Sequence, residues 1–180
     1  MKKLLLTISL FIATINLIAQ DAAFSQFYAN PLYLNPAFAG TAKCPRIIMN
    51  YRNQWPSLSG NFVTTSSAYD QYFSSISGGI GITAVTDNAG DGTLKTTALS
   101  GIYSYKFNPS RKISVNVGFQ ASYVTKRLDW SKLTFGDMID PRRGFIYETQ
   151  DLPRSNLGVK NYADFSLGAI AYSKNLYGGV

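Results

Sequence analysis

The sequence predicts an all-β protein, an antiparallel transmembrane β-barrel of the outer-membrane type. Three observations predict it: side-chain character alternates with period two, turn residues separate the alternating segments, and no helical period is sustained after residue 20. Composition agrees. Charged residues make up 15% and aromatics 14% of the chain, with twelve Tyr and eleven Phe. Ordinary soluble domains carry ~25% charged residues. Low charge with abundant Tyr, Gly, Ser and Thr suits a wall with one face toward lipid and the other toward water.

The clearest strand is Ile113–Tyr123. Ile113, Val115, Val117, Phe119, Ala121 and Tyr123 alternate with Ser114, Asn116, Gly118, Gln120 and Ser122, near the ~9–11 residues of a tilted membrane-crossing strand. The expected lipid face holds Val115, Val117 and Phe119, and the expected lumen face Asn116, Gly118 and Gln120. Leu99, Gly101, Tyr103, Tyr105 and Phe107 alternate with Ala98, Ser100, Ile102, Ser104 and Lys106. Phe165, Leu167, Ala169 and Ala171 alternate with Asp164, Ser166 and Gly168, while Ile170 and Tyr172 interrupt the inner face. Ile47–Tyr51 and Ile80–Ala84 are shorter versions. Asp87–Gly92 should turn a strand near 78–86 into one near 94–107, and Asn108–Arg111 should turn that one into 112–126. A long connection, 128–160, follows, with Asp140–Gly144 and Leu152–Arg154 inside it. Short turns on one side and long loops on the other are the pattern of bacterial outer-membrane barrels, which puts Asn108–Arg111 in the periplasm and Asp87–Gly92 and 128–160 outside. A soluble sandwich or lipocalin-like barrel also alternates. Tyr103, Tyr105, Phe107 and Tyr123 near strand ends, and small neutral residues opposite the apolar ones, favour the membrane form.

The chain opens with Lys2-Lys3, then the apolar run Leu4–Ile18, then the polar Ala19-Gln20-Asp21. This is the layout of a cleaved signal peptide over residues 1–20, since fifteen residues fall short of the ~20 a helix needs to span a bilayer. Losing Lys2 and Lys3 lowers the net charge from +7 to +5. The remaining basic residues are scattered, with short pairs at Arg111-Lys112, Lys126-Arg127 and Arg142-Arg143. They read as a solvated rim or as contacts to anionic headgroups, and nucleic acid is not an expected partner. About seven strands fit between 45 and 180, with another beginning at Tyr177. Bacterial barrels usually hold an even number and lipid does not tolerate an unpaired edge, so the expectation is the N-terminal portion of a barrel.

Nothing in the sequence suggests catalysis, a metal or a cofactor. There is no histidine, Cys44 is the one cysteine, and no Ser stands in a G-x-S-x-G elbow. Asp87/Asp91 and Asp137/Asp140 read as turn formers. Gly78-Gly-Ile-Gly81 lacks the helix and Lys-Ser/Thr of a phosphate loop and reads as strand glycines permitting twist or close approach.

Two blocks carry a family resemblance. Ser25-Gln-Phe-Tyr-Ala-Asn-Pro-Leu-Tyr-Leu-Asn-Pro-Ala-Phe-Ala-Gly40 resembles the opening of mature PorP/SprF proteins, and Tyr51-Arg-Asn-Gln-Trp-Pro56 with the strand after it resembles that family's YRxQWP element. The resemblance spans the mature chain. It implies a non-enzymatic outer-membrane barrel of the type IX secretion and gliding machinery, supporting export or surface attachment of adhesins with a C-terminal sorting domain. It also implies partners among the periplasmic and outer-membrane parts of that machine. Asn61–Thr65 and the Asp87–Gly90 turn look closer to the SprF-like members. The alternative function is a porin or small-solute channel. The resemblance divides the chain into a signal peptide (1–20), an Asn-Pro-rich periplasmic lead-in (21–44) and a partial barrel (45–180). Within the lead-in, Asn30-Pro31 and Asn35-Pro36 break an aromatic segment too interrupted for a long strand. Two readings stand. The lead-in packs Phe24, Phe27, Tyr28, Tyr33 and Phe38 against the barrel and plugs the lumen, or Asn30, Pro31, Asn35 and Pro36 form a docking surface for a periplasmic partner. Arg52, Gln54 and Trp55 are the second candidate partner-binding set, read first as a strand end at the membrane interface with Trp55 in an aromatic girdle.

Overall fold

A computed structural model describes residues 24–58, 60–90, 92–110, 112–147, 149 and 158–180. The signal segment, Ser59, Asp91, Arg111 and Leu152–Arg154 lie outside the described residues.

Seven strands form one antiparallel sheet that curls into a half-barrel. They are β1 (Arg46–Gln54), β2 (Phe62–Phe73), β3 (Gly78–Ala89), β4 (Leu94–Ser110), β5 (Ile113–Leu128), β8 (Val159–Tyr172) and β9 (Tyr177–Gly179). Each pairs with the next along the chain, so the sheet is a pure meander. The small hairpin β6 (Ile139–Asp140) and β7 (Gly144–Phe145) stands apart in the long β5–β8 connection. Among the described residues β1 and β9 are the sheet's two edges. No helix among them is long and apolar enough to cross a membrane.

Every main strand but β9 reaches or exceeds bilayer-crossing length, and β4 and β5 run to 17 and 16 residues. Both turns come out tighter than the sequence suggests. β3 continues to Ala89, which leaves Gly90–Thr93 as the connection and puts Asp87 inside the strand, not in the turn. β4 continues to Ser110 through a register shift after Phe107, so Asn108 and Pro109 belong to a bulged strand end. Such a bulge is where a ladder accommodates proline. The β2–β3, β4–β5 and β8–β9 connections are all short and lie at one end of the sheet. The β5–β8 connection makes the other its long-loop end. In that connection Asp140 accepts the backbone N–H groups of Arg142 and Arg143 at 2.8 and 2.9 Å. The Arg142 bond is the main reason its carboxyl sits below the ordinary range. Asp129 is held low in the same way, chiefly by the Ser131 hydroxyl.

The two faces sort by burial as the alternation predicts. On β5, Val117, Phe119 and Tyr123 are exposed, whereas Asn116, Gly118, Ser122 and Val124 are buried. On β2, Thr64, Ser66, Ala68 and Asp70 are buried, and Thr65, Ser67 and Tyr69 are exposed. Register carries the outer face across strands, with Ile80, Tyr103, Phe119 and Leu167 as successive neighbours. Phe119 stacks on Phe165 with centroids 6.1 Å apart, and Tyr105 stacks on Phe107. The convex surface is therefore largely apolar and aromatic, with small hydroxyl side chains such as Thr65 and Ser67 among the rings and aliphatics, as suits a lipid-facing wall.

This assignment predicts that Val117→Arg in the full-length protein costs ~2–4 kcal/mol near the bilayer midplane and Gln120→Arg much less. Heat-modifiability gels should show poor assembly for the first and near-normal assembly for the second. Equal defects at both positions would mean that the faces are misassigned.

Candidate functional site

The concave face is occupied. Residues 24–41 cross it as three single turns, a 3-10 turn at Phe27–Ala29, a helical turn at Pro31–Leu34 and a 3-10 turn at Pro36–Phe38. The two Asn-Pro pairs explain this course. Asn30 is the N-cap of the helical turn and accepts the Tyr33 N–H, with Pro31 at the first helical position. Asn35 repeats the device, accepting the Ala37 N–H at 2.8 Å with Pro36 behind it. Asparagine suits a cap through its side-chain oxygen, and proline suits the position after it because its missing N–H would be orphaned there anyway. Each amide also has a second use. Asn30 Nδ2 donates to Ser66 Oγ on β2 at 2.9 Å, and Asn35 Nδ2 donates to the Val180 carbonyl at 2.9 Å. One half of each side chain shapes the segment, and the other half ties it to neighbouring structure.

A segment without a ladder must satisfy its backbone elsewhere, and the inner wall supplies the partners. Asn116 donates to the Ala37 carbonyl at 3.2 Å, Arg46 to that of Phe38 at 3.4 Å, and Ser104 to that of Ala39 at 2.5 Å. The Gly40 N–H donates to Asp70 Oδ2 at 2.8 Å. Asp70 is fully buried and also takes a forked pair from Arg46, Nε at 2.8 Å and Nη2 at 3.0 Å. Such bidentate, charge-assisted geometry is the strong kind. One carboxylate thus clamps the end of the segment to the start of β1.

Apolar packing adds a small core of Leu32, Ala39, Ala68 and Ile102, with Ile48 against it. Three inward-facing strand glycines let the segment come this close. A Cβ at Gly79 would meet the backbone of Ala39 and Gly40, one at Gly118 that of Pro36 and Ala37, and one at Gly168 the Asn35 side chain. Gly40 also takes a positive φ of 71°, a conformation ordinary side chains avoid. Gly79, from the glycine-rich Gly78–Gly81 run, is accordingly a seat for backbone, the close-approach reading of that run.

The sequence-predicted site residues divide. Asn30 and Asn35 build the segment and tether it, while Pro36 is buried and Pro31 half-buried beneath it. Arg52 lies on the concave side of β1 and donates to Gln54 Oε1 at 2.7 Å. Trp55 follows the strand at φ 57°, exposed and edge-on to Phe62. These three stand at the long-loop end, away from the Asn-Pro pairs. The expected aromatic packing needs correction. Phe24 is buried and Phe38 half-buried, but Phe27, Tyr28 and Tyr33 are exposed, and the other buried residues of the segment are Asn30, Leu32, Pro36, Ala37, Ala39 and Gly40. Glycine seats admit backbone and small side chains, not rings. Asp70, Ser66 and Ser104 were not singled out from the sequence as site residues, and Asn116 was expected only to face the lumen. The signal available was Asp70 itself, a lone carboxylate among small neutral inner positions of β2.

The segment divides the concave space. Toward the long-loop end lies a cavity of about 480 Å³, floored by Leu32–Pro36 and bordered by Asp87, Lys126 and Asp164. Toward the short-turn end lies a second of about 380 Å³ containing Lys43 and Lys106. No metal-binding group of His, Cys, Asp and Glu occurs among the described residues, and Asp87 is bonded to Thr64 Oγ1 at 2.6 Å.

An antiparallel meander with an apolar convex face, a polar concave face and an internal segment lying across it defines a partial β-barrel of the outer-membrane class. The family described as type IX secretion system membrane protein PorP/SprF matches residues 16–180, and the chain belongs to it. Neither curated proteins nor solved structures gave a match.

The seating predicts that Gly118→Val displaces the segment. Overpacking of this kind costs about 1–3 kcal/mol. In a Cys44→Ser background, a cysteine replacing buried Ala37 should pass from protected to readily labelled by maleimide, with the barrel still heat-modifiable. Unchanged protection would show that the segment does not rest on Gly118.

Proposed function

We propose that this protein is a non-enzymatic outer-membrane component of the type IX secretion and gliding machinery, supporting export or surface attachment of specific adhesins. The supporting observation is the occupied inner face. A diffusion channel needs an open polar lumen, whereas here five polar wall residues and three glycines are used to hold a segment of the chain across it. In this reading residues 1–20 are removed as a signal peptide, 21–44 form a periplasmic lead-in that plugs the barrel, and 45–180 contribute barrel wall. Lipid requires that the edge strands β1 and β9 be paired. The short-turn end faces the periplasm and the long loops face outside.

The plug is the element that meets periplasmic partners of the machine. Asn30, Pro31, Asn35 and Pro36 serve that contact by fixing its shape, and they leave Phe27 and Tyr28 exposed on it. Arg52, Gln54 and Trp55 belong to the outer end, where an adhesin with a C-terminal sorting domain would be received. Asn61–Thr65 and the turn after Asp87 support an SprF-like, gliding-adhesin member. The porin alternative keeps the polar, cavity-lined concave face in its favour.

Deleting the full-length gene should leave general outer-membrane permeability intact, yet abolish surface display of one class of adhesin. Replacing Asn30, Pro31, Asn35 and Pro36 together should cause the same loss with the barrel assembled. Normal display in the deletion strain, alongside reduced uptake of a small solute, would overturn the export reading in favour of the porin.

A further inference from the structure

Charge is distributed unevenly along the sheet. Around the short-turn end the described residues include Lys43, Arg46, Lys106, Lys112 and Lys174, and against them a single carboxylate, Asp70. That carboxylate is fully buried and is spent on Arg46 and the Gly40 N–H. The other carboxylates of the described residues, including Asp87, Asp129, Asp140 and Asp164, belong to the long-loop side of the plug or to its loops. Two of the lysines are not on the outer rim. Lys43 and Lys106 line the cavity of about 380 Å³ between the plug and the short turns, whose walls include no carboxylate.

The cavity has more structure than a charged surface. Lys106 lies on the inner face of β4, and its Nζ is held 5.4 Å above the Tyr172 ring, which keeps the ammonium in the mouth. Lys43, at φ 59°, reaches the same space three residues after the clamped Gly40. Asn116 is 2% exposed, and while its Nδ2 holds the plug, its Oδ1 has no hydrogen-bond partner. The lining thus offers two cations with no carboxylate beside them, above a buried wall in which the Asn116 Oδ1 is unpaired. That charge set fits a peptide carrying carboxylate groups.

We propose that this mouth binds an acidic segment of a periplasmic protein, its carboxylates received by Lys43 and Lys106 against the underside of the plug. Charge complementarity selects the occupant. An anionic lipid headgroup is the competing ligand, but lipid meets the convex face and the rim lysines Lys112 and Lys174, whereas Lys43 and Lys106 face inward. The inference takes its side of the membrane from the proposed function. The binding it predicts is a property of the protein alone, so its failure leaves the export reading untouched. Occupation of the mouth would also bear on the clamp, since Lys43 and Gly40 belong to one short stretch of chain.

The experiment uses the full-length protein in nanodiscs and a fluorescein-labelled hexaglutamate peptide, followed by anisotropy. Saturable, salt-sensitive binding is expected, weakened by about tenfold or more in the Lys43→Glu, Lys106→Glu double variant. Lys43→Arg with Lys106→Arg should retain it, and a hexalysine peptide should not bind. Lys112→Glu with Lys174→Glu should have little effect on the peptide, and heat-modifiability of each variant establishes assembly. No binding of hexaglutamate overturns the proposal. Equal losses from the mouth and rim pairs also overturn it, because they indicate diffuse attraction. Binding of the detergent-solubilised protein to phosphatidylglycerol vesicles but not to the peptide would assign the charge to lipid and overturn it as well.

Discussion

The arrangement depends on how an irregular chain segment is satisfied inside a barrel wall. A segment with no ladder of its own carries backbone donors and acceptors that cannot be buried unpaired. Asp70 is where this constraint is met most tightly. It receives the Gly40 N–H and both fork nitrogens of Arg46, and it is inaccessible to solvent. A buried carboxylate is tolerable only with charge and hydrogen bonds around it, and breaking such a pair typically costs ~3–5 kcal/mol. The clamp therefore fixes the exit of the plug and the entry of β1 as one unit. From that fixed point the carbonyls of Phe38, Ala39 and Ala37 fall on Arg46, Ser104 and Asn116 in turn.

The same arrangement explains why the inner face is small and neutral. Glycine at 79, 118 and 168 gives the segment room, serine and asparagine between them supply hydrogen bonds, and Ala68 with Ile102 gives Leu32 an apolar contact. Burying Leu32 in this way is worth roughly 1.5–3 kcal/mol. A polar inner face looks the same in sequence whether it meets water or meets a plug. The difference appears only in the placement of glycines and of the few apolar inner residues.

That ambiguity marks how far the sequence was legible. The all-β meander and its two faces were readable, because period-two alternation decides which side of a sheet each residue takes. The tightness of the turns was not. Asp87 and Asn108 carry turn chemistry, but Asp87 is held in its strand by pairing with Thr96, and Asn108 sits in a bulged strand end where its side chain accepts the Ser114 hydroxyl, which local propensity does not reveal. In the lead-in, the Asn-Pro pairs marked a broken segment, and the structure makes each a cap followed by a proline start. Which side chains it buries was not legible, since the aromatics are the obvious candidates, whereas Ala37 and Ala39 are the residues that fit the glycine seats and Leu32 is the one that packs on Ala68 and Ile102. Asp70 was missed because its partner Arg46 comes from 24 residues away, at the start of another strand.

Whether residues 24–41 cross the inside of the barrel is the claim on which the functional reading turns. The Cβ of Ala39 lies 3.6 Å from where a Cβ at Gly81 would stand, within the ~3.5–4.5 Å span that a disulfide bridges. Ala39→Cys with Gly81→Cys, placed in a Cys44→Ser background of the full-length protein, should close this bridge inside a single chain on mild oxidation. It should then appear as a reducible mobility shift in the folded outer-membrane form, absent from either single variant. Thiols that remain free and labelled by maleimide in assembled protein would place the segment outside the barrel and contradict the plug.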